Sequence, residues 1–111
     1  MLQVTRFDAA KAYDAKGHFG MTAMRLQGQG VSDLSDYWVG FSTFLPGGGA
    51  DAASAPTAKV YVVLEGEITV TTAEGDTVLG KYDSCYLPPN LQRSILNKTN
   101  LPVQMLVISP N

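Results

Sequence analysis

The chain predicts an all-β fold, an antiparallel sandwich or small barrel made by one domain. Three observations carry this expectation. Short runs rich in Val, Ile, Tyr, Phe and Thr recur from residue 21 to residue 109, and these residue types fit a pleated, half-buried surface. Turn-forming residues separate the runs at short, even intervals. Helix character is confined to one short N-terminal stretch, so layers of sheet must supply the core.

The elements follow in order. Residues 8–15, DAAKAYDA, predict a short helix with Asp8 as its N-cap. Strands are expected at Met21–Gln27, Tyr37–Leu45, Lys59–Leu64, Glu67–Thr72, Thr77–Leu79, Ser84–Leu87, Arg93–Asn97 and Val103–Ser109. Glu65-Gly66 is expected to close a tight hairpin, because Gly tolerates the positive φ such turns need. Further turns fall at Ala73–Asp76, Pro88–Asn90 and Asn100–Pro102. The stretch Pro46–Thr57, PGGGADAASAPT, reads as a flexible loop leading into a strand. No Gly-Lys-Ser/Thr follows it and no helix begins there, so it is not a phosphate loop.

Composition narrows the function classes. At 111 residues, with 45% hydrophobic residues and 16% charged, the chain suits one domain with one core. The formal charge of −2 gives no global positive field, which argues against nucleic acid as a partner. No Lys/Arg run marks a membrane surface and no apolar run approaches spanning length. The charged start, MLQVTRFDAAKAYDAK, lacks the apolar stretch of a signal peptide, and the expected location is the cytoplasm. Nor does any DNA-binding segment accompany the predicted strands. One cysteine, Cys85, precludes an internal disulfide and reads as a small buried strand residue. A single histidine, His18, excludes a multi-histidine metal site and is expected in a loop, with the pocket mouth as the alternative. Asn97-Lys98-Thr99 has the form of a glycosylation acceptor, which carries no weight without secretion.

Two spacings are specific. The first runs Gly47, five residues, Ala53, one residue, Ala55, three residues, Lys59, six residues, Gly66. The second runs Pro88, Asn90, Arg93, Asn97. With the segment KVYVVLEGEITV (Lys59 to Val70) and Leu87-Pro88-Pro89-Asn90, the chain from about residue 20 to 109 resembles the cupin superfamily. In that family these motifs read Gly-x5-His-x-His-x3-Glu-x6-Gly and Pro-x-Gly-x2-His-x3-Asn, and their His and Glu residues bind a divalent metal. Here the four ligand positions hold Ala53, Ala55, Lys59 and Arg93. The second motif also departs at Tyr82, where it begins with Gly, and at Asn90, which replaces a turn Gly. The resemblance implies a double-stranded β-helix (jelly-roll) barrel over residues 20–111, preceded by an N-terminal arm or helix at 1–19. It also implies a homodimer, as simple cupins often form.

Alternation along a strand places Lys59, Tyr61 and Val63 on one face and Arg93, Ile95 and Asn97 on another. The resemblance makes both faces the barrel interior. Ala53 and Ala55 then leave space where imidazoles would stand, and Asp51 is placed at the mouth, in reach of Lys59 or Arg93. Two inward cations without partners are costly and call for an anion. A planar guanidinium at Arg93 suits a carboxylate, and a desolvated Lys59 suits a base or an imine-forming amine. The expected protein is a metal-free, cofactor-free cupin that binds a small organic anion through Lys59, Tyr61, Arg93 and Asp51. Lys59 and Arg93 are its candidate catalytic residues, for a lyase or isomerase acting through an enolate or imine and not a metal-dependent dioxygenase. The alternatives are a non-catalytic binding or sensing module and a structural dimer partner. Tyr37, Trp38, Phe41 and Phe44 share one strand, so half should be core and half an outer, dimer-forming surface. Met21, Met24 and Met105 are expected as core filling.

Overall fold

The computed structural model describes residues 1–111. After a 3-10 turn at Phe7–Ala9, nine strands follow in chain order: β1 (Lys11–Tyr13), β2 (His18–Gln27), β3 (Tyr37–Ala53), β4 (Lys59–Glu65), β5 (Ile68–Thr72), β6 (Gly75–Leu79), β7 (Ser84–Leu87), β8 (Arg93–Leu96) and β9 (Val103–Pro110). All pairings are antiparallel. The strand order β6-β5-β8-β3-β9-β4-β7, with β2 also on β3 and β1 on β2, gives a nearly closed barrel. No helix is long and apolar enough to cross a membrane.

The helix expected at 8–15 is absent. Residues 11–13 instead pair with Ala23–Arg25 of β2. So short a helix, with few apolar positions, is marginal by itself, whereas the extended arm satisfies its backbone on the free edge of β2 and turns Tyr13 toward the barrel. Asp8 lies within the 3-10 turn and caps nothing; Arg6 occupies the cap position without a side-chain bond.

The expected loop at 46–57 is also largely strand. β3 runs on to Ala53 and changes partner on the way. Its first half, Tyr37 to Phe44, pairs with β9, and Gly49, Ala50 and Ala53 pair with β8. Two of the three glycines, Gly48 and Gly49, are there for close backbone approach, and Gly47 holds a positive φ of 81°. A Cβ on Gly49 would lie 2.1 Å from the Ile95 carbonyl oxygen, and one on Gly48 would lie 2.1 Å from that of Gly20. Strand glycines commonly mark such crossings, and the same composition looks like a loop when no partner is known.

Asn97 pins the crossing. It is fully buried, and its amide donates to the Phe44 and Leu101 carbonyls at 3.1 and 2.8 Å. Its side-chain oxygen accepts from the Thr99 N–H and Oγ, and its main chain exchanges bonds with Gly47 and Gly48. Tyr82 and Asn90 both hold positive φ, 68° and 67°, so the backbone bends that glycine usually makes are kept without glycine. Glu65-Gly66 does not close a hairpin: β4 pairs with β7 and β9, and β5 pairs with β6 and β8. Gly66 has the expected positive φ of 83°, but the turn carries the chain from β4, beside β9, to β5, beside β8.

The core gathers Phe44, Tyr61, Val63, Ile68, Val70, Leu79, Leu87, Ile95, Val103, Met105 and Val107. Trp38, Met21 and Cys85 pack against it. The aromatic strand divides as its alternation requires, Trp38 and Phe44 inward and Tyr37 and Phe41 outward. Met24 is not core: it stands opposite Phe41 on the outer face. That face carries cross-strand apolar rows, Met24–Phe41–Leu106–Val62 and Val39–Ile108–Val60–Tyr86, and Phe7 of the arm meets Phe41 edge-on at 4.9 Å.

Gly49→Ala is expected to destabilise the chain by about 1–3 kcal/mol, because the added methyl meets backbone that cannot rotate away. Chemical denaturation checks this; an unchanged midpoint would remove the close approach as the reason for glycine there.

Candidate functional site

The site is assembled at one end of the barrel by strands far apart in sequence. Lys59 opens β4, Arg93 opens β8, and Ala53 ends β3 opposite Arg93. The alternation is as expected: Tyr61 and Val63 are buried, as are Ile95 and Asn97, so Lys59 and Arg93 project on the interior side at the mouth.

A cavity of about 190 Å³ opens there, lined among others by Tyr61, Arg93, Asp51, His18, Ala53 and Ile95. It is below the about 300 Å³ at which sites for drug-sized ligands begin, so it suits a molecule of few heavy atoms. Arg93 Nη1 donates a long, 3.4 Å bond to the Ala53 carbonyl. Burial pushes the Tyr61 phenol up, and the Arg93 guanidinium beside it pulls it partly back. His18 begins β2 rather than sitting in a loop; its Nδ1 lies 2.8 Å from the Lys16 carbonyl, and its ring stacks on Phe44 with centroids 6.5 Å apart.

Lys59 does not line this cavity. Its ammonium donates to Ser109 Oγ at 3.2 Å and sits 5.4 Å from the Trp38 ring centroid. Burial lowers its pKa below the ordinary 10.5, and the neighbouring Arg93 charge lowers it further. The second effect couples the two cations electrostatically although they occupy adjacent niches. Asp51 lines the cavity but forms no ion pair with either cation: the chain's ion pairs are Lys81–Glu65 and Lys98–Asp76, both on exposed side chains.

Three groups escaped the sequence reading. Tyr13 comes from the segment expected as helix. Its phenol is pushed up by burial, lowered by Arg25 and raised by Tyr61. Arg25 lies over Tyr13 at 3.8 Å and over Trp38 at 5.0 Å. Ser109 is almost fully buried beneath Lys59. Alternation puts Arg25 on one face with Met21 and Ala23, but nothing in that pattern says that this face is the barrel interior.

No group of three or more His, Cys, Asp or Glu converges anywhere to hold a metal ion. The positions that hold ligands in metal-binding cupins present two methyl groups, an ammonium and a guanidinium, none of which donates an electron pair to a divalent cation at neutral pH. The residues present do not fit that metal. Cys85, across from Tyr61 on β7, has its thiol pushed up by burial, which suits packing and not nucleophilic attack.

A nearly closed antiparallel barrel with a cavity at its mouth defines a small jelly-roll protein. The model of the cupin domain family matches residues 40–109, and the chain belongs to that family. It is 41% identical over 106 residues to the beta-D-galactosidase Rv1717 of Mycobacterium tuberculosis, covering 96% of this chain and 91% of that protein. The fold is similar to that of the polyketide cyclase RemF from Streptomyces resistomycificus, with a TM-score of 0.88 and 15% identity over 99% of this chain and 80% of that one. It is also similar to a sugar phosphate isomerase of the cupin superfamily from Silicibacter pomeroyi, with a TM-score of 0.80 and 19% identity over 96% and 74% of the two chains.

Lys59→Met tests the electrostatics by linkage. A lysine whose folded pKa is lowered burdens the folded state below that pKa, and the burden is relieved as pH rises from there toward 10.5. The variant is expected to be more stable than the parent at neutral pH, with the difference narrowing as pH approaches 10.5. Denaturation midpoints across pH check this; a difference independent of pH would assign the effect to packing.

Proposed function

We propose that the barrel mouth is a metal-free binding site for a small organic anion, a carboxylate or keto acid, held by Arg93, Tyr61 and Lys59. The observation that carries this reading is a pair of cations at the barrel mouth, Arg93 lining the cavity and Lys59 held on Ser109, neither with a carboxylate partner. An anion relieves the repulsion between them, and Arg93 offers a planar fork for bidentate contact. With a keto acid in place, Arg93 stabilises the enolate charge that develops, and Lys59, in the niche beside it with a pKa lowered by burial, is the candidate base. This is a lyase or isomerase chemistry carried by the chain's own residues.

A second reading is favoured by the 41% identity to a beta-D-galactosidase: a β-galactoside as the ligand, with hydrolysis of its glycosidic bond. Most glycosidases use two carboxyl groups flanking that bond. Asp51 is the sole acidic side chain lining the cavity, so this reading rests on it. The apolar outer rows further support a homodimer that packs β3, β9 and β4 of two copies face to face.

One ligand panel separates the two readings. Carboxylates and keto acids are expected to perturb the fluorescence of Trp38, the one tryptophan, and Arg93→Gln to weaken them about tenfold or more. If no acid binds, the anion site is refuted. Turnover of a nitrophenyl β-galactoside that is lost in Asp51→Asn would establish the second reading, and no turnover would discard it. Sedimentation equilibrium is expected to give a dimer; a monomer at tens of micromolar (roughly the upper range of transient contacts) would remove the proposed face.

A further inference from the structure

One cavity at the barrel mouth is lined by Lys16, His18, Asp51, Tyr61 and Arg93 together, and the strand register shows how His18 comes to share it. His18 on β2 stands opposite Ala50 on β3, and Ala50 stands opposite Ile95 on β8. Residues directly opposite each other across a sheet point to one face, and Ile95 belongs to the core. Arg93, two residues before Ile95 on the same strand, shares that face. His18 and Arg93 therefore rise from one inner surface, across two strand spacings of about 4.8 Å each. Only the methyl group of Ala50 stands between them on β3.

The turn ahead of β2 fixes the histidine. Gly17 holds a φ of 71°, and its carbonyl accepts from the Asp51 N–H at 2.8 Å. The His18 ring stacks on fully buried Phe44, and its Nδ1 lies 2.8 Å from the Lys16 carbonyl. A carbonyl oxygen only accepts, so in the neutral ring Nδ1 carries the proton and Nε2 is left as a bare acceptor. No donor of the protein bonds to that nitrogen.

The cavity thus holds donors and acceptors in separate groups. Arg93 and the Tyr61 phenol, whose pKa is raised by burial, donate. His18 Nε2 and the Asp51 carboxylate, which pairs with no cation, accept. A carboxylate satisfies the donors and leaves the acceptors facing the rest of the ligand. A keto oxygen there sets lone pair against lone pair, because it has no proton to give. An ammonium has protons to give, but its charge is unwanted: Lys16 and Arg93 against Asp51 leave the lining one positive charge. A hydroxylated monoanion neutralises that charge, and a zwitterion does not.

We propose that the ligand is a small hydroxy acid, its carboxylate on Arg93 and Tyr61 and its hydroxyl donating to His18 Nε2. This rests on the anion-site reading, narrows it to one class of acid and adds His18 as a binding residue.

Calorimetric titration of the full chain at about pH 8, where an imidazole is neutral, compares butyrate with its hydroxy, keto and amino derivatives substituted at the α, β or γ carbon. At least one hydroxy acid is expected to bind about fivefold more tightly than butyrate and the keto acids, as one added neutral hydrogen bond gives. His18→Phe keeps a ring on Phe44 and removes the acceptor; it is expected to abolish the preference while leaving butyrate affinity unchanged. As His18 is the single histidine, its ring-nitrogen NMR signals are read in the parent protein: Nε2 is expected to shift with the preferred hydroxy acid and not with butyrate. If His18→Phe fails to fold, as judged by its thermal transition, this signal decides, and an Nε2 unmoved by the hydroxy acid overturns the assignment. Equal affinity for butyrate and every hydroxy acid, a preference that survives His18→Phe, or tightest binding of a keto or amino acid overturns the hydroxy acid while the anion site stands. Failure of every carboxylate to bind refutes the reading beneath it.

Discussion

The fold depends on one long strand that changes partner partway along its length. β3 leaves β9 after Phe44 and joins β8 at Gly49, and the handover works because main chain there is pressed against main chain with no side chain between. Gly48 and Gly49 admit Gly20 and Ile95 at distances that no Cβ could share. Asn97 then locks the crossing through both ends of its amide. A buried amide with its bonds made contributes modestly, but one left unmade is expensive, so this cluster fixes one register over others. The register in turn sets Arg93 opposite Ala53 and opens the cavity beside Tyr61.

The mouth of the barrel follows from what those strands carry. Metal-binding cupins place a cation among electron-pair donors at these positions. This chain places fixed cations there and removes two side chains at Ala53 and Ala55. Aromatic rings surround the charges: Tyr61 beside Arg93, Trp38 between Arg25 and Lys59, Tyr13 beneath Arg25. Cations on ring faces tolerate desolvation better than cations on aliphatic walls, so the charges persist in a half-buried place without acids to pair with. Such an arrangement offers no electron-pair donors at the positions that hold metal ligands in other cupins.

The buried positions of Tyr61, Val63, Ile95 and Asn97 were legible from the chain because strand alternation is strict and the motif spacing fixed its phase. The bend at Asn90 was legible too, since Asn is the usual substitute at positive φ. Tyr82 was less so, because its positive φ is imposed by context and not by residue type. The arm was misread as helix because local composition there is neutral and the deciding partner, the free edge of β2, lies ten residues on. PGGGADAASAPT was misread as loop for a similar reason: small residues signal flexibility only when nothing packs against them. Met24 was assigned to the core by type, while the register turns it outward opposite Phe41.

By itself the sequence determined the class of fold, the strand faces and the replacement of metal ligands by cations. These are matters of periodicity and spacing, which act along the chain and survive without knowledge of partners. Only the tertiary structure decided which cations share a niche. It placed Lys59 against Ser109 and Trp38 rather than in the cavity of Arg93, left Asp51 unpaired, and stacked Arg25 over Tyr13 and Trp38. Those outcomes turn on distances between strands remote in sequence, and such distances are set by sheet closure and by backbone contact at the glycine crossing.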